Sequence, residues 1–169
     1  MIKMDTKIEK IENEPIMVSA CLLGIKCTYN CEIRKNDEVI NLAKRKILIP
    51  FCPEQLGGMS TPRTGMSIVS GSGEDVLDLK TNVLNEDDID ITHHFLLGAE
   101  ESLKYALLFN AKTAIMRNKS PSCGVSRIYN KKPGEEKYLV DGRGVSAARL
   151  LRHGLKIYSE NDIEFIKKL

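Results

Sequence analysis

The run Ile16-Met17-Val18-Ser19-Ala20, closed by Cys21-Leu22-Leu23-Gly24, decides how this chain is read. It is short, apolar and bounded by turn residues, which is the composition of a buried strand rather than a helix. The strand ends on a cysteine. Residues 46–51 (Lys-Ile-Leu-Ile-Pro-Phe) repeat the pattern as nearly continuous apolar sequence, expected of a parallel strand covered on both faces, and run straight into Cys52-Pro53. Residues 113–116 (Thr-Ala-Ile-Met) do so again, ahead of Ser120-Pro121-Ser122-Cys123-Gly124.

Helical patterns separate these strands. Residues 36–44 open with Asn36 as a cap and Asp37 and Glu38 in the first turn. Residues 92–110 carry the strongest signal, with Phe95, Leu96, Ala99, Leu103, Ala106 and Leu107 recurring at three and four and Thr92 as the expected cap. A further helix is expected over 144–152, a last strand over 155–158 and a short helix over 161–169. Residues 22–35, 55–64 and 129–143 read as loops, and residues 67–69 and 76–80 as a small hairpin turning at Gly71-Ser72-Gly73. Strand and helix in alternation call for a single-domain α/β fold: a mostly parallel, Rossmann-like sheet with helices on both faces, plus a small β-hairpin insertion.

A chain of 169 residues fits one domain, here residues 15–169 behind a charged N-terminal extension over 1–14. The extension has neither the apolar run of a signal peptide nor that of a membrane span, so the sequence predicts a cytoplasmic protein with no membrane contact. A net charge of +2, scattered among acids, lacks the basic stripe of a dedicated nucleic-acid binder. Five cysteines, an odd number, argue against a disulfide framework in a reducing compartment.

Where those cysteines fall carries the functional reading. Ligands of open α/β sheets bind outside the carboxyl ends of the strands. Cys21, Cys52 and Cys123 each follow a predicted strand, so they should converge on that edge. Convergent thiolates suit zinc, cuprous copper or an iron–sulfur cluster; the bland alternative is three buried apolar thiols. Cys27 and Cys31 form a lone Cys-x3-Cys pair, weak evidence for zinc. Cys27 reads as a loop-packing residue, with a place beside the metal as its alternative, and Cys31 has no role.

The blocks Val18-Ser19-Ala20-Cys21-Leu22-Leu23-Gly24, Cys52-Pro53-Glu54 with Gly57-Gly58 and Thr61-Pro62-Arg63, Asp90-Ile91-Thr92 with Phe95 and Gly98-Ala99, and Ser120-Pro121-Ser122-Cys123-Gly124 together resemble the thiouracil desulfidase family. The resemblance covers residues 17–160. It implies a [4Fe-4S] cluster held by Cys21, Cys52 and Cys123, with the fourth iron open to a substrate sulfur. The reaction it implies is desulfuration of a small thiolated nucleobase or nucleoside, without net electron transfer. One alternative substrate is 4-thiouridine in transfer RNA; another reading is a non-catalytic metal- or sulfur-binding module. Neither Cys27 nor Cys31 is expected to be needed to hold the cluster. The chain departs from the family at Cys31, where glycine is more usual.

Around the implied cluster, Glu54 is the expected acid or base, with a turn or helix cap as its alternative. Ser120 and Ser122 are expected to hydrogen-bond substrate or cluster sulfur, the competing role being turn chemistry around Pro121. Ser19 is a weaker candidate of the same kind. Arg63 is either aimed at the ligand or solvated. His93, His94 and His153 read as surface and packing residues.

Overall fold

The computed structural model describes residues 12–169, with side chains described from Glu14 onward, so most of the expected extension over 1–14 lies outside the described residues. The main sheet is parallel throughout, in the order β2-β1-β5-β8, built from β1 (Glu12–Ser19), β2 (Lys46–Phe51), β5 (Thr113–Met116) and β8 (Lys156–Ser159). Along β1, alternate side chains leave on opposite faces. Ile16 and Val18 join Ile115 beneath Val39 and Leu42 of α1 (Asp37–Leu42) and Ile166 of α6 (Ile163–Lys168). Met17 turns the other way, with Ala114 and Met116, to meet Leu103 and Ala106 of α4 (Thr92–Leu108) and Ala147 and Leu150 of α5 (Val145–Arg152). The fold is thus an α/β sandwich with helices on both faces.

Chain order reverses between β1 and β5: β2 lies on one side of β1 and the later strands on the other. That switch opens a crevice at the carboxyl edge. Asn36 caps α1 as expected, its Oδ1 accepting from the Val39 amide at 3.1 Å. For α4 the cap differs: Thr92 is already helical, its hydroxyl accepts from the Val83 amide at 2.9 Å, and Asp90 Oδ1 takes the Thr92 amide at 2.8 Å. β2, expected to be covered on both faces, is an edge strand on which only Phe51 is buried; that position tolerates Pro50.

The loop regions hold more structure than their sequences suggest. Residues 67–69 and 76–80 do not pair. Ser72 starts α3 (Gly73–Leu77), its amide and hydroxyl both donating to Asp75 Oδ2, so this Ser-x-x-Asp is a capping box and not a hairpin turn. β3 (Met66–Ile68) pairs instead with β4 (Val83–Asn85), antiparallel. The expected loop over 129–143 contains most of an antiparallel hairpin, β6 (Arg127–Asn130) with β7 (Tyr138–Asp141). These strands form a second sheet, β4-β3-β6-β7, whose Ile68, Val83 and Ile128 pack on Val76, Phe95, Ala99 and Val145. The segment 55–64 is a loop only beyond α2 (Pro53–Leu56).

Candidate active site

Loops from three strand ends enclose one cavity of about 470 Å³, within the usual span for small-molecule sites of about 300–1,000 Å³. Cys21 lies in a 3-10 turn, Ala20–Leu23, that starts where β1 stops and ends at Gly24 with φ 85°. Cys52 is the residue between β2 and α2, with Pro53 opening the helix. Cys123 comes from the Ser-Pro-Ser-Cys-Gly loop beyond β5. All three line the cavity, and so does Cys27.

The thiols sense one another. Cys27 shares hydrogen bonds with Cys21 and Cys52; the bond with Cys21, reinforced by burial, pushes its pKa up to about 11. Cys52 is raised further by its bond with Cys27 and by burial, and its Sγ lies 3.8 Å from the Cys27 carbonyl. Burial raises Cys123 well above the ordinary thiol range, although a hydrogen bond from Ser19 works against it. Among the described residues no group of three or more His, Cys, Asp or Glu side chains is drawn together as a metal ion would need.

The Cys123 loop is held from two sides. Asn118 Oδ1 accepts from the amides of Lys119, Val125, Ser126 and Arg127 at 3.1–3.3 Å. Ser120 Oγ accepts from the amides of Ser122 and Cys123, each at 3.1 Å, so turn chemistry is part of its role. On the far side the first turn of α5 donates its free amides to the loop: Val145 N to the Pro121 carbonyl at 2.8 Å and Ser146 N to that of Ser122 at 3.0 Å. Gly144 makes this approach possible, since a β-carbon there would stand 2.4 Å from the Ser122 carbonyl carbon.

Glu54 and Arg63 form the polar wall. Arg63 Nε donates to Glu54 Oε2 at 2.8 Å, and Nη2 donates to the same oxygen. Its remaining hydrogens reach the carbonyls of Cys27 and Ser60, each at 2.9 Å, and the Thr61 hydroxyl at 3.0 Å. Ser122, buried behind the wall, donates from Oγ to Glu54 Oε1 at 3.0 Å. Arg63 is therefore not solvated, and Glu54 is oriented on both oxygens.

Tyr29, Tyr129, Arg34, Arg117, Lys119 and Lys137 also line the cavity. Arg34 pairs with Glu32 and Lys137 with Glu86, whereas Arg117 and Lys119 have no side-chain partner among the described residues. Sequence reasoning did not single these out. Tyr129 and Lys137 belong to a hairpin whose existence it missed, and only Asn118, a good turn residue after a strand, carried a local signal. His94 lies elsewhere, sharing a 2.7 Å hydrogen bond with the Gly57 carbonyl, and His153 is an exposed C-cap of α5. Cys31 stays outside the cavity with φ 57°, the left-handed conformation that favours glycine.

A doubly wound α/β domain whose switch-point crevice is lined by thiols, a fixed carboxylate and arginine is the architecture of an enzyme built around thiophilic chemistry. The chain belongs to the 2-thiouracil desulfurase family, whose model matches residues 16–162. It is 39% identical over 151 residues to the uncharacterized protein YbbK of Bacillus subtilis (strain 168), across 89% of this chain and 99% of that protein. Among solved structures it is similar to the [4Fe-4S]-dependent thiouracil desulfidase TudS (DUF523Vcz), with a TM-score of 0.73 and 31% identity over 91% of this chain and 95% of that one.

Proposed function

We propose that this enzyme removes sulfur from a thiolated pyrimidine, turning 2-thiouracil and water into uracil and hydrogen sulfide, with a [4Fe-4S] cluster on Cys21, Cys52 and Cys123. One observation carries the reading: three thiols delivered by separate strand ends line a single cavity of substrate size. The donor set fits the group. Thiolates are the usual ligands of iron–sulfur clusters, and a cluster takes one thiolate per iron corner, so its ligands need not converge on one ion. The match to the family and to the cluster-dependent relative supports the same reading.

When bound, the cluster supplies a thiophilic Lewis acid at a corner left without a protein ligand. The rest falls to the chain. Glu54, aimed by Arg63 and Ser122, takes a proton from the water that attacks the ring carbon and returns one as sulfur leaves. The carbon–sulfur bond breaks, a carbon–oxygen bond forms, and no electrons are gained or lost. Ser120, on the cavity wall, retains its hydroxyl hydrogen for sulfur or a ring carbonyl. Tyr29 and Tyr129 offer aromatic faces to a planar ring. Free thiols of this kind suit the reducing cytoplasm.

Arg117 and Lys119, which line the cavity and have no side-chain partner among the described residues, favour a second reading of the substrate, 4-thiouridine carried in transfer RNA, whose phosphates would meet them. Anaerobic reconstitution, iron and sulfide assay, and hydrosulfide release from thiouracil and from thiolated transfer RNA test both. Cluster-loaded protein that releases sulfide from thiouracil at a salt-independent rate supports the free base. Release from the RNA alone, falling steeply with salt, supports the second reading. A loaded protein inert on both is a binding module instead.

A further inference from the structure

The tip of the β6–β7 hairpin is fastened to the rest of the molecule mainly by charge. Residues 132–138 are exposed, and Pro133-Gly134 make the turn, with Gly134 at φ 72° and a place for a β-carbon there that meets nothing within 4 Å. β7 is an edge strand, and β6 joins β3 through one residue pair, Asn130 with Ile68. Two lysines, one at each end of the tip, reach the same acidic turn after β4. Lys131 Nζ lies 3.2 Å from Asp88 Oδ1, and Lys137 Nζ lies 2.8 Å from Glu86 Oε1. That turn is stiff, because Asn85 Oδ1 accepts from the amides of Asp87 and Ile89 at 3.0 and 2.9 Å. The Lys137–Glu86 pair rests on Gly65, where a β-carbon would stand 2.3 Å from Glu86 Oε1 and 3.1 Å from Lys137 Nζ. Gly65 and Lys137 line the cavity, whereas Glu86, Asp88 and Lys131 do not.

We infer that Lys137 determines substrate specificity by donating a hydrogen bond to the exocyclic oxygen that a thiolated pyrimidine keeps, with Glu86 and Asp88 as the positioning residues that hold it on the cavity wall. The inference rests on the desulfidase reading above. An ammonium has three N–H donors and no acceptor. Glu86 takes one, and no other side chain among the described residues takes the rest, so they are left for a ligand in the cavity. The ring carbonyl of 2-thiouracil accepts such a hydrogen, whereas the amino group of 2-thiocytosine presents donors of its own. A site built to bond one group rejects an analogue that lacks it. Asp88 acts at one remove: by holding Lys131 it keeps the tip from carrying Lys137 out to solvent. Exposed ion pairs are individually weak, so the clasp can open locally while the domain stays folded.

Four proteins test this after anaerobic cluster loading: wild type, Lys137→Met, the double variant Glu86→Gln/Asp88→Asn, and Glu101→Gln, a control that removes an exposed ion pair on α4 away from the cavity lining. Hydrosulfide release from 2-thiouracil and 2-thiocytosine gives kcat and KM, and hydrogen exchange is followed across the hairpin and the main sheet. Lys137→Met should raise KM for 2-thiouracil roughly tenfold or more with kcat little changed, and should shrink the preference over 2-thiocytosine by a similar factor. The double variant should raise KM in the same direction, while exchange over 131–138 quickens roughly fivefold or more and the main sheet stays protected. The control should match wild type in both. Unchanged KM and preference in Lys137→Met overturn the recognition role. Unchanged exchange and KM in the double variant overturn the positioning role, and so does a control that shifts as far. Loaded wild type that releases sulfide from neither pyrimidine overturns the desulfidase reading instead, and exchange alone then decides whether the clasp exists.

Discussion

Gly57 and Gly98 face each other across the contact between α2 and α4 with no room for a β-carbon on either. A Cβ on Gly57 would come 2.1 Å from the His94 carbonyl oxygen, and one on Gly98 would come 2.1 Å from that of Pro53. Both obstacles are backbone, so they cannot rotate away. Because α2 carries Glu54 and follows directly on Cys52, this contact sets the height of the polar wall over the cavity. Gly98→Ala should cost about 1–3 kcal/mol by overpacking and should lower iron retention by shifting Cys52. Urea melts and iron assay of the reconstituted variant check this; unchanged stability and iron content would show that the two helices slide apart freely.

Arg63 is the only cation paired with Glu54 among the described residues, and both side chains are largely shielded from water. Removing one member of such a pair costs more than replacing both. Arg63→Met should destabilise the fold by about 3 kcal/mol, and adding Glu54→Gln should restore a good part of that. Three denaturation curves suffice, and strict additivity of the two losses would show the pair to be solvated.

The legibility of this fold followed burial. The central strands β1 and β5 are covered by helices on both faces, so Ile16 to Val18 and Ala114 to Met116 are apolar and marked them, although β1 begins at Glu12, four residues before its apolar run. The β6–β7 hairpin buries only one face of each strand. Along β6, Ile128 and Asn130 are buried while Arg127 and Tyr129 leave on the other face, Tyr129 at the cavity, and the charged turn over 131–137 conceals an alternation this short. The thiols were legible because each follows an apolar strand. The pairing of Glu54 with Arg63 and the entry of Cys27 into the cavity were not, since both depend on where two loops return, which no local pattern records.

Asp90 offers a test by pH. Its hydrogen bonds to Thr92, with help from Asn82, hold its carboxyl below the usual aspartate range. A carboxyl with a depressed folded pKa stabilises above its unfolded value and loses that contribution as pH falls through the folded one. Asp90→Asn should therefore cost stability at neutral pH, about 0.5 kcal/mol for a group this exposed, and the gap should close on acidification. Melts of both proteins in the same cofactor state, at neutral pH and below the ordinary aspartate range, decide it. A gap independent of pH would assign the effect to amide geometry.

Glu54→Gln separates holding the carboxylate from using it. Glutamine keeps the size of Glu54, and its carbonyl oxygen can still accept from either Arg63 or Ser122, although not as a charge. The cysteines are untouched, so cluster loading should equal that of wild type. If Glu54 carries protons between water and the leaving sulfur, single-turnover hydrosulfide release should fall by about 100- to 10,000-fold, the usual contribution of a general acid–base group. The residual rate should also lose one limb of its pH dependence, because the titrating group is gone. A carboxylate that only anchors Arg63 predicts something else: a stability loss, an unchanged pH profile and a rate that recovers when Ser122→Ala relieves the mismatched contact. Equal rates at equal loading would take Glu54 out of the chemistry and shift proton movement to another group on the cavity wall, Ser120 first among them.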